Sequence, residues 1–103
     1  MSSKTPEGKI KEQVKALLKK HNVWYYMPVS LGMGKHGVPD FVCCANSEVE
    51  SGLFFTIETK APGKKPTALQ EKCMAEIRQA GGMTFIVDGE ESLKKVEEWL
   101  NGI

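Results

Sequence analysis

The sequence predicts one α/β domain, a mixed β-sheet flanked by helices, with elements in the order α-β-β-β-α-β-α. Three observations carry that expectation. Two apolar stripes at helical spacing each follow a Thr suited to cap a helix. Short runs rich in β-branched and aromatic residues lie between turn-forming segments. A strand–helix–strand unit spans residues 53–87, so its two strands are expected to be parallel. The chain has 103 residues, a usual size for one domain. No internal repeat or linker divides it, and a single domain over 1–103 is expected.

Thr5-Pro6-Glu7 reads as a helix start, with Thr as N-cap, Pro at the first helical position and an acid in the first turn. Ile10, Val14, Leu17 and Leu18 form its apolar stripe, and the helix should end near His21-Asn22. Val23–Val29 reads as a strand. Ser30–Gly37 carries three glycines and reads as a loop. Val38–Ala45 reads as a second strand with Pro39 near its start, and 46–52 as a turn. Leu53–Lys60 reads as a third strand, central and buried from its Phe and Ile content. The first three strands, joined by short loops, are expected to be antiparallel. Thr67-Ala-Leu-Gln70 fits a capping box, and Leu69, Cys73, Ile77 and Ala80 continue a stripe to the Gly81-Gly82 stop. Met83–Val87 is the fourth strand, and Leu93, Val96, Trp99 and Leu100 mark a closing helix.

Composition narrows the function classes. Hydrophobic residues make up 41% and charged residues 26%, as in ordinary globular domains. No apolar run approaches the ~20 residues of a membrane span, and the first residues lack the apolar core of a secretory signal. A cytoplasmic setting without a membrane partner is therefore expected. Three cysteines, two of them adjacent, and no Cys-x-x-Cys argue against a disulfide scaffold or a zinc ribbon. Cys43, Cys44 and Cys73 read as small buried hydrophobes. The net charge is +1, but residues 1–40 carry seven lysines against three acids while the remainder is acidic. A basic first half permits an anionic partner such as nucleic acid.

The residues that suit chemistry are Asp40, Glu58 and Lys60. Side chains alternate along a strand, so Glu58 and Lys60 project to one face. Asp40, one strand earlier, lies beside them if the two strands pair. Two carboxylates suit a hard divalent cation such as Mg²⁺. A neighbouring lysine can orient water and hold charge at a phosphate. The Thr59 backbone carbonyl lies between Glu58 and Lys60 as a further oxygen donor. Glu7-Gly8-Lys9 repeats the Glu-x-Lys pattern, but on a helix, where residues two apart diverge.

Gly37-Val-Pro-Asp40, Ile57-Glu-Thr-Lys60-Ala-Pro-Gly and Pro66-Thr-Ala-Leu-Gln70 together resemble the PD-(D/E)XK nuclease superfamily. They most resemble its VRR-Nuc family, in the small stand-alone form of phages and prophages, over roughly residues 5–88. The resemblance implies a restriction-endonuclease-like core and phosphodiester cleavage dependent on Mg²⁺ or Mn²⁺. It implies that Asp40 and Glu58 are metal ligands and Lys60 the catalytic lysine. Glu7 matches the family's N-terminal acid, with Glu12 a second choice one turn on. Gln70 matches the glutamine after the lysine, although helix capping and an active-site duty would compete for its one side chain. The implied activity is an endodeoxyribonuclease acting on branched or structured DNA such as Holliday junctions, as a homodimer. Two other readings stay open: an inactive DNA-binding module on the same fold, and a restriction-type nuclease of linear duplexes.

Gly32-Met-Gly-Lys-His-Gly37 spells a dinucleotide-binding fingerprint, but no helix follows it and a strand does, so no nucleotide cofactor is expected. The same loop would bring Lys35 and His36 against a DNA backbone. Lys64 and Lys65, in the loop after the third strand, are further candidates for phosphate contacts. Trp24, Tyr25 and Tyr26 read as core or interface rather than as base-stacking residues.

Overall fold

The computed structural model describes residues 5–29 and 34–103. Helix α1 spans Pro6–Lys20. Thr5 caps it by accepting the Gly8 N–H at 3.0 Å, and Ile10, Val14, Leu17 and Leu18 are buried. The helix ends as its sequence requires. Asn22 takes a positive φ of 56°. Its N–H donates to the Lys19 carbonyl, and the Val23 N–H donates to that of Leu18. These two bonds satisfy helix-end carbonyls and turn the chain into the sheet.

The sheet has four strands, β1 (Trp24–Tyr26), β2 (Phe41–Ala45), β3 (Leu53–Thr59) and β4 (Met83–Val87), lying side by side in that order. The β1–β2 and β2–β3 pairs are antiparallel and the β3–β4 pair is parallel. Helix α2 (Ala68–Gln79) makes the crossover, and α3 (Glu90–Gly102) closes the chain. The order, the directions of pairing and the central place of β3 are those read from the sequence.

Two strands are shorter than their composition suggests. β1 stops at Tyr26, short of Val29, because Pro28 lacks an N–H and constrains Met27 before it. β2 begins at Phe41 rather than Val38. Pro39 has no donor, and the Asp40 N–H is given to the Glu58 Oε1 atom at 3.2 Å instead of to a strand. Residues 30–33 of the glycine-rich loop, including the first glycine of the fingerprint, lie outside the described residues.

One face of the sheet carries Phe41, Cys43, Ala45, Phe55, Ile57 and Val87 into the main core, against α1 and α3. Phe55, Phe85 and Trp99 meet there as edge-to-face aromatic pairs, with centroids 5.0–6.1 Å apart. Helix α2 lies on the opposite face, and its buried residues are Cys73 and Met74. The expected α2 stripe is thus partly corrected: Leu69 and Ala80 are exposed, and Met74 faces inward. Cys44 is also exposed, contrary to expectation, because alternation along β2 turns it away from Cys43. With Trp24, Tyr26 and Phe54, it leaves an apolar area on that face open to solvent.

Candidate active site

The candidate chemistry gathers at one end of the sheet, where β2 begins and β3 ends. Three segments converge there: the start of α1, the Gly37–Asp40 approach to β2, and the first turn of α2. Gly37 has a φ of 78°, and a Cβ at this position would lie 2.5 Å from the Leu69 carbonyl oxygen. Only glycine permits both the backbone angle and the close packing of this approach on α2. Pro39 is fully buried just before Asp40, which further restricts where that carboxylate can go.

Asp40 is held by Thr59. Its Oδ2 atom accepts the Thr59 N–H at 2.9 Å and the Thr59 hydroxyl at 2.6 Å. Glu58 is 2% exposed. Its Oε1 accepts the Asp40 N–H, and its Oε2 accepts the Gln70 side-chain amide at 2.8 Å. The Lys60 ammonium lies 3.4 Å from the same Oε2 and is itself largely buried. Burial pushes the Glu58 carboxyl up to about 7, the neighbouring Asp40 charge adds to the rise, and Lys60 opposes it.

Gln70 does both of the jobs that the sequence set in competition. Its Oε1 accepts the Thr67 N–H at 2.8 Å, and Thr67 Oγ1 accepts the Gln70 N–H at 3.2 Å, which completes the capping box. Its Nε2 is then free to donate to Glu58. Glu7 reaches the site through Lys11, which the sequence reading passed over. The Lys11 ammonium is 3.6 Å from Glu7 and 3.9 Å from Asp40 Oδ1. The i,i+4 spacing of Glu7 and Lys11 was visible in the sequence; the approach to Asp40 was not. Glu12, the second choice, pairs instead with Lys15 at 3.1 Å. Among the described residues, no three His, Cys, Asp or Glu side chains come together as a metal-binding group. The site is thus the Asp40–Glu58 carboxylate pair, with Glu7 linked to Asp40 through Lys11.

The candidate DNA contacts lie on two loops. Lys35 and His36 are exposed and border α2, where the Lys35 ammonium pairs with Glu76 at 2.8 Å. That pairing raises the Lys35 pKa and lowers that of Glu76. Lys64 and Lys65 are exposed four and five residues beyond Lys60, along an open groove shared with Glu71, Ile86 and Asp88. Among the described residues, no helix is long and apolar enough to cross a membrane.

Comparisons with known proteins bear on the fold and on the family. The fold is similar to that of a solved structure described as a VRR_NUC domain, with a TM-score of 0.77 and 21% identity, covering 92% of this chain and 97% of that one. Among curated proteins no relative matches the chain. The VRR-NUC domain family matches residues 4–91. That span takes in Glu7, Asp40, Glu58, Lys60 and Gln70, and the chain belongs to the VRR-NUC family of nuclease-type domains.

Proposed function

We propose that this nuclease domain is a Mg²⁺- or Mn²⁺-dependent endodeoxyribonuclease that acts on branched DNA such as four-way junctions. The carrying observation is the Asp40–Glu58 pair: two adjoining carboxylates, one of them buried and raised to about 7, with only partial compensation from Lys60. An oxygen-only donor set of two adjoining carboxylates suits a hard divalent cation. Asp40 and Glu58 would hold it, with the Thr59 carbonyl as a further oxygen donor. Bound there, the cation supplies electrostatic stabilisation of the charge that builds on the phosphate.

The chain's own residues do the rest. Thr59 and Gln70 fix the two carboxylates before substrate arrives, so no reorganisation is needed during the reaction. The Lys60 ammonium stands beside Glu58, where it orients the attacking water and steadies the phosphate charge. Water gives up a proton as its oxygen bonds to phosphorus, the bond to the leaving oxygen breaks, and that oxygen takes up a proton in turn. Lys35, His36, Lys64 and Lys65 hold the flanking backbone by phosphate contacts, which position DNA without reading sequence.

The proposed working unit is a two-fold homodimer. Each chain brings one carboxylate pair, which cuts one strand at a time, and a four-way junction has matching two-fold symmetry. The exposed Trp24, Tyr26 and Phe54 supply an apolar surface for such a pairing.

The test is cleavage of labelled four-way junctions, flaps, linear duplexes and single strands by the purified chain, with Mg²⁺, with Mn²⁺ and with a chelator. Metal-dependent cutting of junctions above the other substrates is expected. Binding without cleavage in any metal would favour the inactive DNA-binding module. Cutting of linear duplexes at one sequence alone would favour the restriction-type reading.

A further inference from the structure

We infer that Lys11 is a built-in counter-cation of the acidic site, which an arriving divalent cation displaces, and that its departure lets Glu7 join Asp40 and Glu58. The inference rests on the metal-dependent reading above.

Lys11 leaves α1 one turn after Glu7, and its ammonium lies 3.6 Å from Glu7 Oε2 and 3.9 Å from Asp40 Oδ1. The two oxygens of Asp40 are not equivalent. Oδ2 is fixed by two short hydrogen bonds from Thr59. Among the described residues Oδ1 faces only the Lys11 ammonium, at 3.9 Å, beyond hydrogen-bond distance. The Lys11 side chain is about one-third exposed, on a flexible four-carbon stem. It is thus an ion held by charge rather than by geometry, and one that solvent can receive.

The same ammonium is within ion-pair distance of both Glu7 and Asp40, so one lysine is shared by two of the three acids. The three carboxylates and the ammonium groups of Lys11 and Lys60 leave one net negative charge at the site when all are ionised. With Lys11 withdrawn the balance is two negative charges, which a divalent cation neutralises. Lys60 does not share this role, because it is only 14% exposed and sits against a buried carboxylate.

The test uses the full chain without DNA at pH 8, where Glu58 is ionised. Mn²⁺ is titrated into wild type, Lys11→Met, Lys11→Arg and the Lys11→Met, Glu7→Gln double variant, and free Mn²⁺ is read by electron paramagnetic resonance. Removing one competing charge at ~4 Å from the shared carboxylate should tighten Kd about tenfold in Lys11→Met. Lys11→Arg keeps the charge and should stay near wild type. The double variant should lose most of the gain. As a readout that needs no substitution, Mg²⁺ is also titrated into wild-type protein with ¹³C-methylated lysines; the Lys11 signal should move as the metal binds. Lys11→Met binding Mn²⁺ no more tightly than wild type, or a Lys11 signal that Mg²⁺ leaves in place, overturns the counter-cation. A double variant that keeps the full gain overturns the recruitment of Glu7. Failure of every protein to bind millimolar Mn²⁺ overturns the metal-dependent reading itself, and this inference with it.

Discussion

Gln70 joins the start of α2 to the buried Glu58: its amide oxygen accepts the Thr67 N–H while its amide nitrogen donates to Glu58 Oε2, each at 2.8 Å. The opposite orientation of the amide would set donor against donor at Thr67 and acceptor against acceptor at Glu58, so both partners select the same one. A residue that caps a helix therefore also aims a carboxylate. Gln70→Ala breaks both bonds and should lower stability by about 1–3 kcal/mol. Gln70→Glu keeps an acceptor for Thr67 but places a second carboxylate against Glu58. It should retain more of the helix-end stability at low pH than Gln70→Ala and lose cleavage. Equal thermal melts of the two variants at pH 5 would mean that the capping bond contributes little.

Stability should depend on pH through Glu58. Its carboxyl titrates near 7 in the folded chain against an ordinary 4.5, chiefly because it is buried. The folded state therefore binds that proton more tightly than the unfolded state does. The resulting stability is fully present below about pH 4.5 and is lost as pH rises through 7, a change of up to about 3 kcal/mol. Metal-free denaturant melts between pH 4.5 and 8.5 should show the fall, and Glu58→Gln should flatten it. A wild-type profile as flat as that of the variant would show that Glu58 is not held neutral by its surroundings.

Cleavage should be lost in Asp40→Asn and in Glu58→Gln, both of which keep shape while removing a charged oxygen. Full activity in either purified variant at matched metal concentration would remove the proposed site. Lys60→Ala should also abolish most cleavage but leave metal binding largely intact, since an ammonium does not ligate a cation. Calorimetric titration that shows the metal site lost with Lys60 would make it a support for Glu58 rather than a participant.

Lys64→Ala combined with Lys65→Ala should weaken DNA binding across sequences. Two lost phosphate contacts should flatten the slope of log K against log salt by up to ~2 for duplex DNA. An unchanged slope would leave this loop merely solvated.

Association should depend on the uncovered sheet face. Sedimentation equilibrium at micromolar concentration should give twice the 11.4 kDa chain mass for wild type. Trp24→Glu with Phe54→Glu should return the single-chain mass, because charge does not tolerate burial in an apolar interface. A wild-type species at 11.4 kDa would end the dimer proposal.

Local pattern alone determined much of this protein. Thr5-Pro6-Glu7 and Thr67-Ala-Leu-Gln70 start helices because each carries its own cap. The strand order follows from short connections and one helical crossover. Asp40, Glu58 and Lys60 were legible because strand alternation and a buried central strand leave few explanations for a Glu-x-Lys there. Tertiary structure decided what depends on partners distant in the chain. The Asp40 N–H bonds Glu58 rather than a neighbouring strand, which delays β2. Thr59 offers Asp40 its amide and hydroxyl, a use of the residue that no spacing announces. Lys11 and Gln70 acquire their second partners only when the starts of two helices meet at the end of the sheet. A helix period shows which face a side chain takes; which oxygen it meets there depends on how whole elements pack, and that is set by the core that joins them.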